Sequence, residues 1–283
     1  TWLGSPVARD LGNKLFSGDY NYEDLQAIPS PVLYDAIMTV GLESVTDVLM
    51  NISGEAYLEL LDLDFWDQDA FLEDQFWNWL ATIEEEDNHD QFQKFLASCD
   101  LRHLALVVMR YVTSVIREDN NDPSPGDGFF TPDLGFTYLA ISISDPEKHR
   151  ILGKLLALVF EDSPDRFYHL ISTGHAETSA ETEEIAYTEK ELRARRLGIP
   201  DKTEAYKFHI PLSPKEMETL ISDAKNSIEN IIEFAPKTEQ DLGAFAFLLN
   251  SYINSGDAER AQVFTASLAH LFSCALVHYK VAF

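Results

Sequence analysis

The chain has 283 residues, of which 45% are hydrophobic and 12% aromatic, enough apolar material for one large or two modest cores and too much for a disordered chain. It carries 48 acids against 21 bases, and residues 1–122 hold 24 of those acids with only 6 of the bases. Such a field repels phosphate backbones and anionic lipid, so nucleic acid is excluded as an expected partner, while a protein partner, a basic one above all, or a divalent cation is favoured.

No apolar run reaches the roughly twenty residues that cross a bilayer, so no membrane insertion is expected. The longest candidate, LAHLFSCALVHYKVAF, is interrupted by histidines and a lysine. Cys99 and Cys274 stand far apart in no metal-binding or redox spacing and read as free thiols of a reducing compartment. The chain opens on Thr1, which leaves a trimmed start open; the expected location is cytoplasmic.

Three successive twelve-residue stretches, SPVLYDAIMTVG, LESVTDVLMNIS and GEAYLELLDLDF, repeat one chemical pattern. Leu33, Val45 and Tyr57 share a slot, as do Ile37, Leu49 and Leu61, and Ala36, Val48 and Leu60, with Asp35, Asp47 and Glu59 beside them. Twelve residues allow about two helical turns and a short connection, so the pattern predicts stacked short helices, each too small to bury its stripe alone.

In the next segment, Leu72, Phe76, Trp79, Leu80 and Ile83 fall at helical spacing, whereas Phe65, Trp66, Phe71 and Trp77 do not all fit that stripe. Residues 89–119 read as two helices broken near Ser98 and Asp100, with Asp100 as N-cap of the second, whose run LALVVMRYVTSVI is apolar on most faces. Residues 118–128 concentrate turn formers and read as a linker, and 129–143 alternate around Pro132, Asp133 and Gly135 as a β-hairpin or strand pair. Helices follow, including a long charged one from about Ser179 to Leu197 ended by Gly198 and Pro200, and a short one from Thr203 to Phe208. Three more are predicted at Pro214–Phe234, Glu239–Asn254 and Ala258–Val281, the last two joined by NSGD as an antiparallel hairpin. The fold class is thus mainly α, a superhelical array of short helices with a small β-hairpin insertion and a C-terminal helical hairpin, organised as regions 1–122, 123–210 and 211–283.

The acids Asp62, Asp64, Asp67 and Asp69, followed by Glu73 and Asp74, put oxygen ligands at alternating positions that suit calcium or magnesium, although the glycine of an EF-hand loop is missing. The competing expectation is that Asp62, Asp64 and Asp67 cap short helices and line a solvated face. His169 and His175, with Glu177 and Glu181 nearby, form the one sequence cluster that suggests zinc or iron and hence a metallohydrolase. No GxSxG, no P-loop and no GxGxxG opening a helix occurs, no nucleophile is marked and no cofactor is expected. On the charged helix, Glu189 with Arg193 and Glu191 with Arg195 are i,i+4 pairs; the alternative is that arginines such as Arg193 and Arg196 take carboxylates of this chain or a partner. Trp66 and Trp77, aromatics beyond one core stripe, are expected to contribute to an interaction surface.

The block Leu61 to Trp66, LDLDFW, and the later block Glu184 to Pro200, EIAYTEKELRARRLGIP, together resemble a bacterial family catalogued as a domain of unknown function, over about residues 25–210. Ile199 stands where that family's pattern has an aromatic. The resemblance implies no activity. More distantly, residues 28–64 are similar in periodicity to the superhelical cytoplasmic domain of a magnesium transporter, and no ligand residues carry over. The leading expectation is an acidic, helical, non-enzymatic scaffold or protein-interaction module; the alternatives are a divalent-cation-responsive regulator and a metallohydrolase.

Overall fold

The computed structural model describes residues 6–67, 69–85, 89–117, 125–206 and 274. The chain divides into two compact units, one over Trp2–Leu192 and one over Arg193–Phe283 with Thr1. The described part is mainly helical with two small antiparallel strand pairs. The helices predicted at 214–234, 239–254 and 258–281, with their hairpin, lie outside the described residues. Among the described residues no helix is long and apolar enough to cross a membrane.

The first unit opens with α1 (Pro6–Ser17) and α2 (Tyr22–Ala27), the latter capped by the Asn21 side chain accepting from the Asp24 N–H. The repeats become α3 (Ser30–Val40), a 3-10 turn (Leu42–Ser44) with α4 (Thr46–Asn51), and α5 (Gly54–Asp64). All nine apolar slot residues are buried, so the twelve-residue period stacks three undersized stripes into one core. Gly41, at φ 93°, makes the first reversal in a region of backbone space that favours glycine.

A miniature hairpin follows, β1 (Trp66–Asp67) on β2 (Ala70–Phe71), and then α6 (Glu73–Glu85). Helices α7 (His89–Ser98) and α8 (Leu101–Tyr111) flank the expected break, and Asp100 caps α8 by accepting from the Arg102 N–H. Here the expectation needs correction. The helix predicted to run on through 112–116 stops at Tyr111, and Val112–Ile116 form strand β3, which pairs with β4 (Thr137–Ile141). Val112, Thr113, Val115 and Ile116 are β-branched and fit a pleated surface once a partner strand is present. The hairpin insertion is therefore β3 with β4, not two strands within 129–143; Phe130 adds a single bridge to Leu139 on the other side of β4.

Helices α9 (Pro146–Asp162), α10 (Pro164–Ala176) and α11 (Ser179–Arg196) complete this part of the chain, α9 and α10 capped by Asp145 and Ser163. In the second unit Gly198, at φ 75°, closes α11, and α12 (Lys202–Tyr206) follows.

Candidate functional site

The most polar point of the core lies on α8. His103 is 0% exposed, and the Trp66 indole N–H donates to its Nε2 at 3.3 Å. Asp62 Oδ1 lies 3.6 Å from the same nitrogen. Phe65 meets the imidazole edge-on and Phe71 stacks against it, at centroid distances of 5.5 and 6.0 Å. One helical step away, Asp64 accepts from the Tyr34 hydroxyl at 2.6 Å and from the Trp79 indole at 2.7 Å. Burial, and then the Asp64 carboxylate, push the Tyr34 hydroxyl well above its usual range, so it stays a donor.

The two sequence blocks meet at this centre. Trp66 lies 5.9 Å from the Tyr187 ring, and the Phe71 N–H donates to Glu183 Oε1 at 3.3 Å. Arg102, next to His103 on α8, binds Glu177 at 2.9 Å and approaches Glu189 to 3.6 Å, while Thr182 donates to the same Glu177 oxygen. Blocks remote in sequence thus hold α5, α8 and α11 to one another.

The predicted site residues scatter. Asp62 and Asp64 are buried in the last turn of α5 at 5% and 7% exposure, which corrects the expectation that they cap helices and face solvent. Their neighbours Leu60, Leu61 and Phe65 pull this turn into the core, and the donors on Tyr34 and Trp79 make the burial of Asp64 tolerable. Asp67 and Asp69 remain exposed on the miniature hairpin. Among the described residues no three His, Cys, Asp or Glu side chains gather to hold a metal. His169 and His175 are both exposed on α10; His175 Nε2 lies 2.8 Å from Ser114 Oγ, Glu177 is taken by Arg102, and Glu181 accepts from the Thr178 N–H and hydroxyl. Trp66 and Trp77 are buried at 6% and 4% exposure, because the β1–β2 turn and α6 fold them inward, Trp77 donating to Glu73 Oε1 at 2.8 Å. Arg193 is half-buried and Arg196 exposed on the last turn of α11. In the same unit Arg195 binds Asp201, and Cys274 is buried, its thiol pushed up to about 11 by desolvation and then by the Glu204 and Asp201 charges.

What sequence reasoning missed is the end of the β3–β4 hairpin. The buried Asp133 carboxylate accepts from the Thr131 hydroxyl and from the Phe136 and Thr137 N–H groups through Oδ1, and from the Tyr168 hydroxyl through Oδ2. Burial opposes the charge on Asp133, but these donors outweigh it and hold the carboxyl below its usual range. The ordered turn puts Leu134 at φ 60°, a left-handed conformation rare for leucine, and leaves it 99% exposed. Ile116, 53% exposed, and Phe136 flank it, with Val115 and Tyr168 also exposed. The alternating pattern around Pro132 and Gly135 was legible as a turn; the outward aim of its leucine was not.

No curated protein and no solved structure matches the chain. A family match, described as "Family of unknown function (DUF6178)", extends over residues 17–273 and includes both blocks that meet at His103. The chain belongs to that family of unknown function.

Proposed function

We propose that the chain is an acidic, non-enzymatic helical scaffold that engages a protein partner through the end of the β3–β4 hairpin. The observation that carries this reading is Leu134, held outward in a strained backbone conformation by a buried carboxylate. A left-handed leucine costs about 1–2 kcal/mol, and its side chain, 99% exposed, contributes no packing inside the fold in return. With Ile116 and Phe136 it forms an apolar end on an otherwise highly charged chain, the pattern of a partner contact. The polar centre at His103 serves the scaffold: the Trp66 indole is directed at His103 and the Trp79 indole at Asp64, which ties the β1–β2 hairpin to α8 and α6 to α5. Cys99 and Cys274 are buried thiols far apart in sequence, which suits a reducing compartment, and we place the scaffold in the cytoplasm.

The test is affinity capture from the cells that make the chain, with the full chain and with Leu134→Ser and Phe136→Ser combined. A partner should be retained by the native chain and lost by the variant, whose melting temperature stays unchanged. Equal capture by both would sink the assignment of this surface.

A further inference from the structure

The docking reading gives the place; the backbone of β3 gives the mode. The Arg117 N–H donates to the Phe136 carbonyl and the Ser142 N–H to the Tyr111 carbonyl, so Tyr111, Thr113, Val115 and Arg117 are the residues of β3 and its ends whose main-chain groups face β4. The groups of Val112, Ser114 and Ile116 alternate with these and point to the opposite edge. The Val112 N–H closes α8 on the Val108 carbonyl, but among the described residues no main-chain partner is seen for the N–H of Ser114 or Ile116. The two-fold bridge of Phe130 to Leu139 lies on the far side of β4, so among the described residues the other edge of β3 has no strand beside it.

Beside that edge is a cleft of about 220 Å³ walled by Val108, Met109, Ile171 and Gly174, with the Ser114–His175 hydrogen bond at its rim. Side chains of an added strand alternate in direction, so one would drop into this cleft while the next lies against Val115 on the outer face. Natural proteins blunt an open edge with lysine, proline or a bulge. Here the edge carries Val115 and Ile116 instead, both exposed.

We infer that β3 is a strand-addition site that takes an extended segment of a partner protein, with an aliphatic side chain for the cleft and flanking Lys or Arg. This rests on the docking reading above and specifies its chemistry. The basic flanks follow from charge: the chain bears a net −27, and exposed acids lie in the β3–β4 connection, Asp127, in the last turn of α9, Glu161, and in the first turn of α10, Asp165. The same charge disfavours edge-to-edge pairing of two copies.

The test uses the full chain and synthetic peptides of about ten residues, the span of a long strand, alternating Val or Leu with Lys. One control set carries Glu for Lys and another a central proline. Hydrogen exchange read by mass spectrometry should show protection over 112–116 with the basic peptides alone. Ile116→Pro removes an outward N–H, a substitution edge strands tolerate, and should weaken binding by about tenfold or more. Gly174→Leu fills the cleft from α10 while every residue of β3 is kept, and should weaken binding by a second route; a leucine side chain there grows toward Met109 Cγ, 3.4 Å from where its Cβ would sit. Peptide binding that protects only 134–136 and ignores Ile116→Pro would overturn strand addition while leaving the docking surface standing. Absence of protection with every peptide, or self-association of the chain that protects 112–116 without peptide, would also overturn it.

Discussion

The indole of Trp66 and the ring of Tyr187 lie 5.9 Å apart, centroid to centroid, tilted at 54°, and through them the two blocks that mark the family touch. Aromatic pairs in this geometry contribute about 0.5–1.5 kcal/mol beyond their buried area. A double-mutant cycle of Trp66→Leu and Tyr187→Leu, followed by urea denaturation, should therefore return a coupling in that range. Strict additivity would mean that the blocks adjoin without supporting each other.

Asp64 accepts from two donors, whereas Tyr34 supplies one. Asp64→Ala strands the fully interior Trp79 indole N–H and the Tyr34 hydroxyl together, so it should cost about 2–4 kcal/mol, against about 1 kcal/mol for Tyr34→Phe. The ordering is the point to check by denaturant midpoint; a larger loss in the tyrosine variant would contradict the geometry.

Asp35 is buried on α3, and its Oδ1 has no hydrogen-bond partner among the described residues. Desolvation raises its pKa, so the stability linked to its proton is fully present below the unfolded value of 3.8 and is lost as pH rises through the higher folded one. Near neutrality the ionised form is a burden. Asp35→Asn is expected to stabilise the chain by about 1 kcal/mol there, with the gain fading toward acid pH. A destabilised variant at neutral pH would show that the carboxylate is matched by a group outside this account.

Glu73 has the opposite sign. Burial raises its pKa, but hydrogen bonds from Tyr111 and Trp77 and the Arg110 charge outweigh burial and hold it below its ordinary 4.5. Its contribution is present above that value and is lost as pH falls through the lower folded one. Glu73→Gln should cost about 1–2 kcal/mol at neutral pH and progressively less below about 4.5. A difference that does not change with pH would rule out the charge as its source.

Both Asp64 oxygens accept protein hydrogen bonds and Asp62 faces His103, which leaves Asp67 and Asp69 as the two accessible members of the four aspartates at 62–69. Two exposed carboxylates hold a divalent cation only weakly, so millimolar calcium or magnesium should leave the melting temperature unmoved. A clear rise would revive a cation-responsive role for this segment.

Much of the helical content could be read directly from the residues, because its signals are local. The twelve-residue period put nine apolar side chains in the core, and Asp100 and Gly198 marked a helix start and a helix end where cap geometry and left-handed backbone demand such residues. Periodicity failed where the partner lies far away in the chain. LALVVMRYVTSVI is apolar in a way that suits helix or strand, and only pairing with 137–141 decides that it changes at Val112. Asp62, Asp64, Trp66 and Trp77 look like surface chemistry in sequence, yet donors on α3 and α6 meet the Asp64 carboxylate inside, and acceptors on α8 and α6 meet the two indoles. The sequence by itself thus determined a mainly helical, strongly acidic chain built on stacked short segments. Tertiary structure alone decided which polar groups satisfy one another inside and which apolar ones, Leu134 and Ile116 among them, are left facing water, since that choice depends on contacts between residues no local pattern connects.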